Sequence, residues 1–256
     1  MTKKNIVITY LIALNINICF SQEVINHNFY KAYYPNEEIK GTTEIITYKD
    51  SIEINSNFKS VALNKTVINH YKICFSNTAF YIPSKITQHS KYIDSIETKD
   101  YAMTITTSHK DSIQYWNKQI NGKTVTKKSA YPTTSYRAIL HILSTLDYSS
   151  KGKLLTLNLT KVKSFRREAL DAQLIYEKDI IIKKGDLNLN LKKIVLYEDG
   201  FKESGYWLDQ NNNLVIISIG LDLDKTVYKK YDNVDEHEVF KDIFEEIDNN
   251  LILTKE

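Results

Sequence analysis

Two cysteines, three prolines and seven glycines are all that 256 residues contain of three strongly structure-dictating types. Cysteine is too scarce for a disulfide framework, so the fold has to rest on a hydrophobic core. No Pro-rich linker and no second composition regime divides the chain. The glycines are scattered, and none forms the loop-then-helix pattern that cradles phosphate. An excess of charge is missing as well: 34 basic against 31 acidic residues leave a formal charge of +3. That balance supplies no global field for nucleic acid or an anionic membrane. The local basic positions Lys161, Lys163, Arg166 and Arg167 read as a solvated strand end.

The commonest hydrolase signatures are also lacking. The chain has no Gly-x-Ser-x-Gly elbow, no His-Glu-x-x-His pair and no Asp-Thr/Ser-Gly. Acidic side chains near the C-terminus (Asp222, Asp224, Asp232, Asp235, Glu236, Glu238) with His237 come nearest to a metal-ligand set. They lack the spacing of a calcium loop and read as acids at a helix start, where the dipole favours them. The histidines at 27, 70, 89, 109, 141 and 237 are dispersed along the chain, and Cys74 has no CxxC partner. No catalytic, metal-binding or cofactor-binding residue is therefore expected, and no cofactor. A hydrolase would need a convergence around Glu168, Asp171, Glu198 or Glu203.

One apolar run is present, at the very start. Lys3 and Lys4 precede the stretch Ile6 to Ile18, and Cys19-Phe20-Ser21 places small side chains where a signal peptidase inspects them. The run is shorter than the roughly 20 residues of a spanning helix. The expectation is a signal peptide over 1–21 and a mature domain over 22–256 beginning at Gln22, exported to the periplasm or cell surface and without a transmembrane segment. Removing Lys3 and Lys4 leaves 32 basic residues against 31 acidic ones, a formal charge of about +1. Cys74 is then the single thiol of the mature chain.

After residue 40 the dominant period is two. Ile52, Ile54 and Phe58 alternate with polar residues, as do Tyr101, Met103 and Ile105, then Leu155, Leu157 and Leu159, then Leu187, Leu189 and Leu191. Asn121-Gly122 and Asp199-Gly200 sit between such runs and suit tight hairpins. Two segments read as helices. Tyr136, Ile139, Leu140, Leu143 and Leu146 recur at helical spacing over 133–147, and Val239, Phe240, Ile243, Phe244 and Ile247 do so over 235–248. The fold class expected is mostly β: one antiparallel curved sheet or half-barrel with one central and one C-terminal helix. Eighteen tyrosines suit half-buried sheet positions.

The tripeptide Asp-Ser-Ile occurs at residues 50–52, 94–96 and 111–113. It reads as a polar turn handing over to a strand, and it also resembles the acceptor sequence of the Bacteroidetes O-glycosylation system. The order of strands, the helix at 133–147 and the step Trp207-Leu208-Asp209 before a polar turn at 210–213 resemble exported domains related to the LolA/LolB lipoprotein carriers, over about residues 40 to 225. That resemblance implies an unclosed barrel around a helix, a hydrophobic cavity, and binding or carriage of a lipid or other apolar or amphiphilic ligand. The alternative expectation is an envelope structural or interaction protein that contacts another envelope protein and holds no small molecule. Nucleic acid is not an expected partner.

Overall fold

In the computed structural model, the residues described are 23–33, 39–60, 64–76, 81–111, 113–129, 132–160, 168–184, 187–219, 225–229 and 236–245. The N-terminal stretch read as a signal peptide lies outside them.

Eight strands follow one another in a meander: β1 (Val24–Tyr33), β2 (Ile39–Tyr48), β3 (Ser51–Ser60), β4 (Lys65–Phe75), β5 (Pro83–Ile93), β6 (Thr98–Lys110), β7 (Ile113–Ile120) and β8 (Lys123–Ser129). After β9 (Thr134–Ser135) and the connection that follows it, a second series runs through β10 (Gly152–Thr160), β11 (Glu168–Lys184), β12 (Leu187–Glu198), β13 (Phe201–Leu208), β14 (Leu214–Ile219) and β15 (Lys225–Lys229). Antiparallel pairing of β1 with β15 joins the two series into one sheet, ordered β8 to β1 and then β15 to β9. Among the described strands only β9 with β10 pairs in parallel.

Both Gly-containing hairpins form as expected. Asn121 and Gly122 have φ of 48° and 79°, and Asp199 and Gly200 have 51° and 83°. Two successive positive values give the primed turn that matches strand twist. Of the three Asp-Ser-Ile tripeptides, the second falls between β5 and β6, Ser51 and Ile52 of the first open β3, and Ile113 of the third opens β7. At the second, Asp94 Oδ1 accepts from the backbone N–H of Ile96 and Glu97. Ser51 of the first is fully buried, whereas Ser95 is exposed.

The sheet curls because one face must be removed from water. On that face Ile52, Ile73, Ile86 and Ile105 stand directly opposite one another across β3 to β6, each at most 1% exposed. Against them pack Leu157, Leu159, Leu174, Leu196, Tyr206 and Ile217 of the second series, and between the two lies the short helical segment after β9. This segment is a 3-10 turn (Tyr136–Ala138) continuing into α1 (Ile139–Leu143), and Ile139 and Ile142 are fully buried. The half-barrel with a helix inside it is thus observed.

The central helix is shorter than 133–147, for local reasons. Thr134 and Ser135 pair with Leu159 and Thr160 instead of winding, and the Ser135 hydroxyl caps the Ala138 N–H. At the other end Ser144, Thr145 and Tyr148 hydroxyls donate to the carbonyls of His141, Ile142 and Leu143, at 2.7, 2.8 and 2.6 Å. Those carbonyls are the last-turn acceptors, so side chains satisfy what further helix would have satisfied.

A second core lies on the opposite face. A bulge between Tyr176 and Lys178 shifts the register of β11 by one residue. Leu174 and Tyr176 therefore face the half-barrel, while Ile180 and Ile182 face away from it. With Leu187, Leu189, Leu191, Trp207 and Ile216 they pack on Val239, Phe240, Ile243 and Phe244. The C-terminal helix is narrower than 235–248 among the described residues: α2 (Glu236–Val239) breaks at Phe240, and helical turns resume at 241–245. Leu187, Leu189 and Leu191 thus serve the outer core while Leu196 of the same strand serves the barrel interior, because two-residue alternation fixes parity and not face.

Ile142→Ala should cost about 2–5 kcal/mol of unfolding free energy, and Ile181→Ala, at a position 64% exposed, less than about 0.5 kcal/mol. Urea unfolding of both variants measures the contrast.

Candidate functional site

Strands β7 and β8, at one end of the sheet, meet Thr133, just before β9, and Thr160 of β10 through side chains. Gln114 donates from Nε2 to the Thr133 carbonyl at 3.0 Å and accepts the Thr133 N–H at Oε1 at 2.7 Å, replacing a ladder rung with an amide side chain. The hydroxyls of Ser129 and Thr133 lie 2.9 Å apart, and Lys127 Nζ reaches Thr160 Oγ1 at 3.4 Å. This seam holds the entry to the helix against the barrel wall.

A small cleft, with about 20 Å³ of enclosed space, opens where α1 meets β1, β2 and the β13–β14 turn. Its floor is apolar, formed by Ile45, Leu140, Leu143, Leu208 and Leu214, while Asn26, Asn28, Thr47, Ser144 and Asn212 supply polar groups. Strand pleat explains the juxtaposition. Asn26, Asn28 and Tyr30 share one side of β1, opposite Thr47, Ile45 and Thr43 of β2.

The polar wall is tied together. Asn28 Nδ2 donates to Asn26 Oδ1 at 2.5 Å, and Asn26 Nδ2 donates to Asn213 Oδ1 at 2.6 Å. Asp209 organises the turn, its Oδ1 accepting from the N–H groups of Asn211 and Asn213 at 2.8 and 2.9 Å. Lys192 Nζ donates to Asn212 Oδ1 at 2.6 Å and to the Gln210 carbonyl at 3.3 Å, and sits 5.2 Å from the Tyr148 ring centroid. The Trp-Leu-Asp step thereby acquires three separate tasks. Trp207 enters the outer core, Leu208 lines the cleft, and Asp209 shapes the turn beside it.

Two further charged groups have altered titration. His141, 6% exposed on α1, stacks on Phe75 with ring centroids 4.4 Å apart. Burial holds its pKa below the ordinary 6.5, and the Asp50 carboxylate offsets part of that effect. On the outer face, burial alone would raise the pKa of Glu177, but hydrogen bonds from Tyr197, Lys202 and Lys193 outweigh it and hold the carboxyl at about 2. The Lys193 and Lys202 ammonium groups lie 3.0 and 2.9 Å away.

The carboxylates considered for a hydrolase do not form such a pair among the described side chains. Glu198 is 1% exposed at the inner end of β12, whereas Asp171 is exposed on β11 at a φ of 56°. The side chains of Glu168 and Glu203 lie outside the described set, as do Asp222, Asp224, Asp232 and Asp235 and the side chains of Glu236 and His237. Among the described residues no three His, Cys, Asp or Glu side chains come together as metal ligands, and no helix is long and apolar enough to cross a membrane. Sequence reasoning missed Asn26 and Asn28. Their signal is polarity at the same parity as Tyr30 and Ala32, both of which pack against the inner core. The chain matches no protein-family model, no curated protein and no solved structure.

Because burial holds the His141 pKa below its ordinary 6.5, stability should fall as pH drops through that value and level off below the folded-state pKa. His141→Phe should flatten that decline in urea unfolding. Glu177 contributes stability above its ordinary 4.5 that is lost as pH falls toward about 2. Glu177→Gln should remove this more acidic decline and leave the His141 decline in place.

Proposed function

We propose that this protein is a non-catalytic binding module of the cell envelope that takes one small amphiphile at the mouth of its half-barrel. The carrying observation is the two-sided lining of the cleft: leucines and Ile45 for an apolar tail, three asparagines and Thr47 for a polar head. Lys192 stands behind Asn212, 2.6 Å from its amide oxygen. A short helix secured at both ends by hydroxyls forms one wall, so displacement of a few residues would widen the cleft without breaking the sheet. The resemblance to lipoprotein carriers supports the reading at the level of fold alone. The leader-like N-terminus supports the envelope location.

A second reading has its own observation. The barrel interior is filled by the protein's own side chains, with the isoleucine row and the helix residues Ile139 and Ile142 at 0–1% exposure. That filling favours an envelope structural or interaction protein without a ligand.

Native mass spectrometry of the gently purified protein, compared with its denatured mass, separates the two. The binding reading predicts a mass excess lost on denaturation, uptake of the fluorescent amphiphile anilinonaphthalene sulfonate, and loss of that uptake in Leu140→Trp, which fills the cleft. Equal masses, no uptake, and a stoichiometric protein recovered from envelope fractions would replace it with the interaction reading.

A further inference from the structure

The outer face of the first strand series carries a row of side chains, hydrogen-bonded at its centre, that the dispersal of its residues in sequence conceals. Phe29, Glu44, Asn55, His70 and His89 stand directly opposite one another, one on each of β1 to β5. His27 lies beside this row, its Nε2 2.7 Å from Glu44 Oε1. Asn55 Nδ2 donates to Glu44 Oε2 at 2.7 Å, which leaves Asn55 Oδ1 as an acceptor, and His70 Nδ1 lies 2.5 Å from it.

This chain of contacts sets the chemistry of His70. With Nδ1–H donated to Asn55, the neutral ring carries its lone pair on Nε2. An imidazole whose second nitrogen is tied down by an outer hydrogen bond is the usual form of a metal-ligating histidine. His89 is its directly opposed partner in an antiparallel pair, where Cβ atoms stand about 4.5–5.5 Å apart. Both rings are exposed, and beyond His89 the row continues with the small, exposed Ala102. The nearby Lys72 is engaged by Glu53 at 2.7 Å, which moderates its repulsion of a cation.

The geometry points to a metal site: His70 and His89 together chelate one borderline divalent ion, Cu²⁺ ahead of Ni²⁺ and Zn²⁺. Water completes the coordination, since no third ligand converges among the described residues. Two imidazoles with no carboxylate ligand disfavour Ca²⁺ and Mg²⁺, and the order among the others follows the stability series for nitrogen ligands. Asn55 is a positioning residue, acting through the His70 tautomer.

Calorimetric titration of the full, untagged chain with Cu²⁺, Zn²⁺ and Ca²⁺ tests this, together with electron paramagnetic resonance of the Cu²⁺ form. Expected are one Cu²⁺ site with coupling to two imidazole nitrogens, weaker Zn²⁺ binding and no Ca²⁺ binding. His70→Ala and His89→Ala should each weaken Cu²⁺ by more than about tenfold, and Asn55→Ala by about tenfold with an altered spectrum. His109→Ala, on an exposed position of β6 outside the row, should change neither. All sites lie on the solvent face, so unaltered melting curves will confirm folding; His89→Gln serves if His89→Ala melts early. Unchanged Cu²⁺ affinity in either folded histidine variant, or loss of binding in Cys74→Ser, overturns the proposal.

Discussion

Everything in this structure depends on burying the inner face of a very wide sheet. The fifteen strands among the described residues, with an isoleucine row across four of them, cannot stay flat in water. At about 25 cal/mol per Å² of apolar surface, each such side chain contributes about 1.5–3 kcal/mol only if something covers it. Two things cover it: the facing half of the same sheet, and eight helical residues between. Curling, the edge-to-edge union of β1 with β15 and the position of α1 are one solution to that single requirement.

The helix is therefore both core and boundary. Its buried side, through Ile139, Ile142 and Leu143, belongs to the inner core. Its C-terminal end supplies Leu140, Leu143 and Ser144 to the half-polar cleft beside β1 and β2. The hydroxyl caps on its last carbonyls make that end a finished surface. A binding role at this place and a structural role for the rest of the helix are compatible, because Leu140 and Ser144 line the cleft while Ile139 and Ile142 fill the core, with Leu143 serving both.

The two faces of the sheet divide the chemistry. Inside, polar groups find each other within the core, as Thr43 with Ser56 at 3.2 Å and Gln88 with Ser90 at 2.7 Å. Outside, charged groups form short networks, Glu177 with two lysines and Tyr197 on the second series and Glu44 with Asn55 and the histidines on the first. Each network spans adjacent strands, so each exists only once register is set.

Much of the fold is legible in the sequence for a local reason. Alternation, Asn-Gly and Asp-Gly dipeptides and a helical stripe after Pro132 are written in neighbouring residues, and hairpins need nothing more. The helix limits were misjudged because Thr134 and Ser135 pair with β10, twenty-five residues away, and because hydroxyls end the last turn. The face of Leu187, Leu189 and Leu191 was not legible, since parity is local but the choice of face depends on a bulge in β11. The asparagine wall and the histidine row were not legible either. The Glu44–Asn55 and Asn55–His70 contacts join residues 11 and 15 apart and the Asn26–Asn213 contact spans 187, and only the folded sheet brings these together. The sequence by itself determined the elements; the tertiary structure decided which side chains meet, because register and curvature act across the whole sheet.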